Sequence, residues 1–122
     1  MALIDVHQHV IPKVYKDALA RVGVLGSGEN PWPAWSLERQ LELMDELGIG
    51  ATLISIASPG AYFGDIEFTR QLVKACNEAM QQIVSGNPGK FGAMGSGNGA
   101  LRGGVLGATS TPRTRSSTSA PR

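Results

Sequence analysis

The first apolar segment of the chain predicts a β-strand. Residues 2–9 contain Leu3, Ile4 and Val6 around a single acidic residue. Because apolar residues occupy both sides of such a strand, we expect both faces to be mostly buried, as in a parallel sheet covered by helices. Pro12 then ends the strand, since proline has no backbone N–H and its φ angle is fixed.

The clearest element is an amphipathic helix in the middle of the chain. Ser36 is a natural N-cap, and Gly48 suits the left-handed position after the last turn. Residues 51–57 then predict a second apolar strand, which the turn sequence Ser58-Pro59-Gly60 ends. Four apolar residues form the buried stripe of the helix at helical spacing: Leu37, Leu41, Met44 and Leu47.

The remaining pattern completes an alternation of strands and helices. Residues 13–22 predict a short helix, and residues 23–35, rich in Gly and Pro, predict a loop. A long helix over residues 66–84 ends at Gly86-Asn87-Pro88, and residues 90–94 begin a third strand. This order predicts an α/β fold in which right-handed βα units build a parallel sheet.

The pattern stops after Met94. Residues 95–122 are almost all Gly, Ala, Ser, Thr, Pro and Arg, and such a segment buries too little apolar surface to offset the entropy of ordering. We therefore expect a folded part at residues 1–94 and a disordered tail at residues 95–122. The tail has three interpretations: a basic segment that binds nucleic acid, a terminus without function, or a coding sequence that is read out of frame. The abrupt change in mid-strand favours the third.

Charge and composition narrow the class of protein. Residues 1–92 contain ten acidic and seven basic residues, whereas the rest of the chain contains four arginines and no acid. Four arginines over this length give a low density of positive charge, which argues against nucleic acid as a partner. A single cysteine, Cys76, excludes an internal disulfide and suits a reducing compartment. Since we find neither a secretory leader nor an apolar run of membrane length, we expect a cytoplasmic protein without a membrane partner.

The stretch LIDVHQHVIP contains both histidines of the chain, His7 and His9. In a strand, alternate residues project to one side with their α-carbons about 6.6 Å apart, so two imidazoles can converge on one metal ion. Asp5, two residues earlier, could orient a ligand from the same face. The alternative is a pair of ordinary surface histidines. The position at the carboxyl end of a strand favours the metal site, because parallel α/β folds build their active sites there.

These residues resemble a known family. Residues 4–9 resemble the opening strand of the amidohydrolase superfamily, in which the first barrel strand ends in a His-x-His metal-binding pair. The resemblance covers residues 2–94. Within the superfamily, this sequence is similar to the amidohydrolase-2 branch, which includes aminocarboxymuconate-semialdehyde decarboxylase and related aromatic-acid decarboxylases alongside hydrolases. It implies the first two to three βα units of a TIM (β/α)8 barrel. Further segments carry the resemblance: residues 41–49, Ser58-Pro59-Gly60, Phe63-Gly64-Asp65, Asn77-Glu78 and residues 88–92.

The resemblance implies a metal-dependent reaction. His7 and His9 would be two ligands of a divalent metal, most often zinc, in an enzyme that decarboxylates or hydrolyses a small carboxylate substrate. The family's third histidine and its aspartate ligand lie farther downstream than this chain extends. We therefore expect a truncated family member that is inactive alone and has an aggregation-prone open strand edge. The alternative is a non-catalytic scaffold or interaction fragment, and we assign no catalytic residue.

Other residues have simpler interpretations. Trp32 and Trp35 flank a proline in the predicted loop, where they could line a substrate entrance or pack onto the barrel rim. Ser58 belongs to a turn and has no accompanying base. Cys76 falls in the apolar stripe of the long helix, and Asp65 is placed to cap that helix.

Overall fold

The computed structural model describes residues 2–96 and 105–106. The prediction of a disordered tail at residues 95–122 falls almost entirely outside the described residues, and it stays a prediction. The described elements are, in chain order, β1 (Leu3–Val10), α1 (Lys13–Arg21), β2 (Gly26–Ser27), β3 (Asn30–Pro31), α2 (Leu37–Leu47), β4 (Ile49–Ile56), α3 (Ile66–Gly86), β5 (Phe91–Met94) and β6 (Val105–Leu106).

The main sheet has the strand order β1-β4-β5-β6. β1 pairs with β4 and β4 pairs with β5, both in parallel, whereas β6 is antiparallel to β5. The connections between the parallel strands contain α2 and α3. The predicted parallel βα arrangement is therefore confirmed.

Local signals explain where α2 begins and ends. The Ser36 hydroxyl accepts a hydrogen bond from the backbone N–H of Arg39 at 3.2 Å, as an N-cap does. Gly48 follows the last turn with φ +68°, in the left-handed region that favours glycine. Both predicted caps are confirmed.

The segment predicted as a loop contains a small hairpin of β2 and β3. A Cβ on Gly26 would lie 1.9 Å from the carbonyl oxygen of Asn30, so this close strand approach requires glycine. The hairpin escaped the sequence analysis because each strand has only two residues, too few for any periodicity to show.

The core lies between the sheet and the helices. Met44 of α2 and Met80 of α3 are fully buried against strand residues of the sheet. The predicted stripe of α2 is only partly correct, because Leu47 is 56% exposed and Gln40 is buried instead. A second cluster lies between α1 and α3. The strand residues of the first cluster are Val10, Ile54, Phe91 and Ala93, and the second contains Ile11, Tyr15, Ala18, Leu19, Leu72 and Cys76.

The prediction that both faces of β1 are mostly buried was wrong. Leu3, Ile4 and Val6 are 62%, 71% and 68% exposed in the described structure. The buried strand residues contact α2 and α3 on one face of the sheet, which leaves apolar residues of β1 exposed. An apolar run of this kind is compatible with one or two covered faces, so the pattern alone overestimated the burial of β1.

Candidate metal centre

The histidine pair lies near the carboxyl end of β1, an edge strand of the described sheet. His9 pairs with Ser55 of β4, and the next residue, Val10, is fully buried and anchors the end of the strand. Between Asp5 and Gln8 the register shifts, since three steps along β1 match two along β4. This irregularity is a β-bulge beside His7, a feature that re-aims side chains near functional sites.

The imidazole rings of His7 and His9 lie edge to face. Their Nε2 atoms are 3.1 Å apart, and the ring centroids are 4.8 Å apart with the planes at 82°. Both residues are exposed, so an ion from solvent can reach them. The structure thus brings the two rings together, as their spacing predicts.

The distance between the Nε2 atoms fits a shared cation. Two nitrogen ligands at about 2.0–2.1 Å from one ion, near the tetrahedral angle, lie about 3.3 Å apart, close to the observed 3.1 Å. The same distance also suits a hydrogen bond in which one Nε2–H donates to the other Nε2. The donor set therefore fits a divalent metal, and it is also stable as a hydrogen-bonded pair.

Ser55 is a site residue that the sequence analysis missed. Its Oγ lies 3.2 Å from Nδ1 of His9, on the neighbouring strand. The sequence pattern instead pointed to Ser58, three residues later, because Ser58 ends the second predicted strand. A signal was available, since Ser55 is a polar residue near the carboxyl end of a strand that pairs with the histidine strand.

The carboxylate of Asp5 contacts the backbone of His7, and no hydrogen bond joins it to either imidazole ring within residues 2–96. Its Oδ1 accepts a hydrogen bond from the backbone N–H of His7 at 3.0 Å. Asp5 pairs with the buried Thr52, whereas His9 pairs with Ser55. The bulge interrupts the strict alternation on which the expectation of a shared face depended.

The two imidazoles alone would be an incomplete ligand set. Within residues 2–96, no group of three or more His, Cys, Asp or Glu side chains is placed to hold a metal ion. A catalytic zinc usually has three protein ligands and one open position. Two imidazoles can bind a cation, but two ligands alone do not fix its coordination geometry.

Tyr15 supports the loop that follows β4, and the sequence analysis missed it as well. Its hydroxyl lies 2.8 Å from the carbonyl oxygen of Gly60 and 3.0 Å from that of Ala57. It also accepts a hydrogen bond from the Gly60 N–H at 3.1 Å. The residue is fully buried, and this burial raises the pKa of Tyr15 to about 12. The loop that it fixes begins two residues after Ser55.

The two tryptophans of the loop before α2 pack against the core. Trp32 contacts the second cluster, with its ring 5.7 Å from the ring of Tyr15. Trp35 contacts both clusters. Both indole N–H groups are buried without a hydrogen-bond partner in the described structure. These contacts agree with packing rather than with an exposed substrate entrance.

The other candidates have structural roles. Asp65 caps α3, since its Oδ1 accepts hydrogen bonds from the N–H groups of Glu67 and Phe68 at 2.8 and 3.1 Å. Cys76 is 1% exposed, and burial raises the pKa of its thiol to about 11. Ser58 lies on the exposed turn after β4.

Two curated proteins match most of this chain. The 6-methylsalicylic acid decarboxylase of Penicillium expansum is 32% identical over 99 residues, which cover 79% of this chain and 30% of the relative. The 6-methylsalicylic acid decarboxylase acuB of Aspergillus aculeatus is 31% identical over 96 residues, or 76% of this chain and 28% of the relative. The chain therefore spans about 30% of the length of these relatives. No family profile matches it.

A solved structure decides the family. The crystal structure of an amidohydrolase II superposes with a TM-score of 0.68 and 30% identity, covering 77% of this chain and 31% of the other. This chain belongs to the amidohydrolase superfamily. The 5-carboxyvanillate decarboxylase LigW of Sphingomonas paucimobilis shares the fold, with a TM-score of 0.64, 24% identity and coverage of 77% and 34%.

The assignment confirms the resemblance and the fold class. The amidohydrolase II structure and LigW both belong to the amidohydrolase-2 branch. In this family context, the described parallel sheet with α2 and α3 is the first part of a TIM barrel. In a closed barrel, layers of side chains from alternate strands fill the interior, which would cover those apolar side chains of β1 that project inwards. Amidohydrolase-2 proteins are in general metal-dependent.

Proposed function

We propose that His7 and His9 are two ligands of a divalent metal, zinc, in a carboxy-lyase or hydrolase site that acts on a small carboxylate. The distance of 3.1 Å between their Nε2 atoms carries this proposal. The names of the two curated relatives support a carboxylate substrate, since both are decarboxylases of 6-methylsalicylic acid.

The residues of this chain would hold and orient the metal. His7 and His9 would donate their Nε2 lone pairs, and the pairing of β1 with β4 fixes the strand that carries them. A bound divalent ion supplies Lewis acidity, which polarises a substrate oxygen or lowers the pKa of a bound water. The hydroxyl of Tyr15 would hold the loop beside the site through its contacts with Gly60.

A second candidate function is a non-catalytic scaffold or interaction fragment. The absence of a third metal-ligating side chain near His7 and His9 within residues 2–96 favours it. The two candidates differ in zinc binding, which only the first requires, and not in turnover, because the ligand set within residues 2–96 is incomplete. We expect the 122-residue chain with added zinc to release no carbon dioxide from 6-methylsalicylate above the rate of the metal-free chain.

We further propose a cytoplasmic location. The one cysteine of the sequence is free and buried, which suits a reducing compartment. No helix in residues 2–96 is long and apolar enough to cross a bilayer.

Zinc binding tests the proposed ligands. Equilibrium dialysis of the full chain, with zinc measured by mass spectrometry, should find about one ion per chain. His7→Ala and His9→Ala should each abolish this binding at the same zinc concentration, because one imidazole binds zinc weakly.

The control is Gln8→Ala, with folding checked by circular dichroism. Gln8 lies between the histidines, but its amide donates to Oε1 of the buried Gln40 on α2, so its loss should leave zinc binding unchanged. Zinc retained by the double variant His7→Ala/His9→Ala would refute the assignment.

A further inference from the structure

Ser55 contacts the histidine pair without being one of the proposed ligands. Its Oγ lies 3.2 Å from Nδ1 of His9. The two residues are register partners on the parallel strands β1 and β4. The contact is therefore set by backbone pairing within the sheet and does not depend on a loop.

This contact bears on which nitrogen of His9 carries the proton. A neutral imidazole has one N–H and one nitrogen lone pair. If Nδ1–H donates to the Ser55 oxygen, Nε2 keeps its lone pair and faces Nε2 of His7. If the Ser55 hydroxyl donates to Nδ1, the ring proton lies on Nε2, where it blocks a metal.

We propose that Ser55 is a positioning residue that accepts a hydrogen bond from Nδ1–H of His9 and so keeps Nε2 of His9 available for a divalent cation. The effect on metal binding rests on the proposed function, but the hydrogen bond between His9 and Ser55 does not require a metal. Histidine ligands in proteins commonly donate their second N–H to such an acceptor, which fixes the tautomer and the orientation of the ring.

His7 completes the metal-free arrangement. Its Nε2–H donates to the free Nε2 of His9 across 3.1 Å, so both facing nitrogens have a partner. To bind a cation through Nε2, His7 would carry its ring proton on Nδ1 instead, with no change in its charge. His7 is exposed, so water can carry out this exchange.

The first test reads the tautomer in the metal-free chain. Long-range ¹H–¹⁵N NMR of the ¹⁵N-labelled full chain should show the proton of neutral His9 on Nδ1. Ser55→Ala should shift His9 towards the Nε2–H form, and Ser55→Thr, which keeps the hydroxyl, should restore the wild-type spectrum. A wild-type His9 protonated on Nε2 would overturn the proposal, even if Ser55→Ala failed to fold.

The second test measures zinc affinity by competition with a chromophoric chelator. Ser55→Ala should weaken binding about 10- to 100-fold, the usual cost of losing such an outer contact, and Ser55→Thr should recover it. The control is Ser85→Ala, since the Ser85 hydroxyl contacts Gln81 on α3. Unchanged affinity in Ser55→Ala would overturn the role of Ser55. If the wild type bound no zinc, the proposed function would fail, and the NMR result would still decide the hydrogen bond.

Discussion

Tyr15 illustrates why single residues of this site could not all be found in the sequence. Its hydroxyl contacts backbone atoms of Ala57 and Gly60, which lie 42 and 45 residues away along the chain. No local spacing indicates such a contact, because it exists only after α1 has packed beside the end of β4. Ser55 is similar, since its role follows from the register between β1 and β4.

Replacing Tyr15 tests the importance of this contact. Tyr15→Phe should lower the free energy of unfolding by about 1–3 kcal/mol at pH 8, because it leaves the part-buried N–H of Gly60 without its acceptor. Urea unfolding followed by circular dichroism measures the change. The control is Tyr62→Phe, since Tyr62 is 67% exposed. An equal effect of both variants would contradict the proposed role of the Tyr15 contacts.

The stability of the wild type should depend on pH in a way that Tyr15→Phe lacks. Burial raises the pKa of Tyr15 from 10.0 to about 12, so the unfolded chain loses this proton at a lower pH than the folded chain. The contribution of the Tyr15 hydroxyl to the free energy of unfolding is therefore fully present below pH 10. It is lost between about pH 10 and 12, by about 2–3 kcal/mol in total. Cys76 contributes in a similar way between about pH 9 and 11. Between about pH 10 and 12 the free energy of unfolding should fall more for the wild type than for Tyr15→Phe. An equal fall in both proteins would contradict this.

Helices were the most predictable elements, because their end signals are local. Ser36, Gly48 and Asp65 each act within a few residues of the helix end that they define. The bulge in β1 and the burial of Gln40 could not be predicted in this way. Gln40 is buried because its amide oxygen accepts a hydrogen bond from Gln8 of β1 at 3.1 Å, a partner that only the assembled fold supplies.

The cap of α2 gives a test of the local signals. Ser36→Ala removes the acceptor for the Arg39 N–H and should lower the free energy of unfolding by about 1 kcal/mol. Ser85→Ala near the end of α3 should change it by less than about 0.5 kcal/mol, as surface substitutions usually do. Chemical denaturation of both variants measures the difference. Equal stabilities would show that the Ser36 cap contributes nothing.

The described sheet as a whole has a free edge at β1 and exposed apolar side chains next to it. Ile4 and Val6 are 71% and 68% exposed, which is unusual for strand residues of an α/β protein. The sequence predicted the order of strands and helices but not this exposure, because the burial of a barrel strand depends on strands that are distant in sequence.

The exposed apolar side chains of β1 should cause self-association of the chain. Sedimentation velocity should show a larger average mass at higher protein concentration, and Ile4→Lys should reduce this effect, because a charge on an edge strand opposes pairing. Leu25→Lys is the matched control, since Leu25 is also 71% exposed but lies before β2, away from the main sheet. Equal reduction by both variants would indicate nonspecific association.

X-ray absorption at the zinc K-edge tests the shared cation in the zinc-loaded full chain. We predict two imidazole nitrogens per zinc at about 2.0–2.1 Å, with the remaining positions filled by water oxygens, and one imidazole fewer in His7→Ala. A spectrum with sulfur in the first shell, or one unchanged by His7→Ala, would contradict the account.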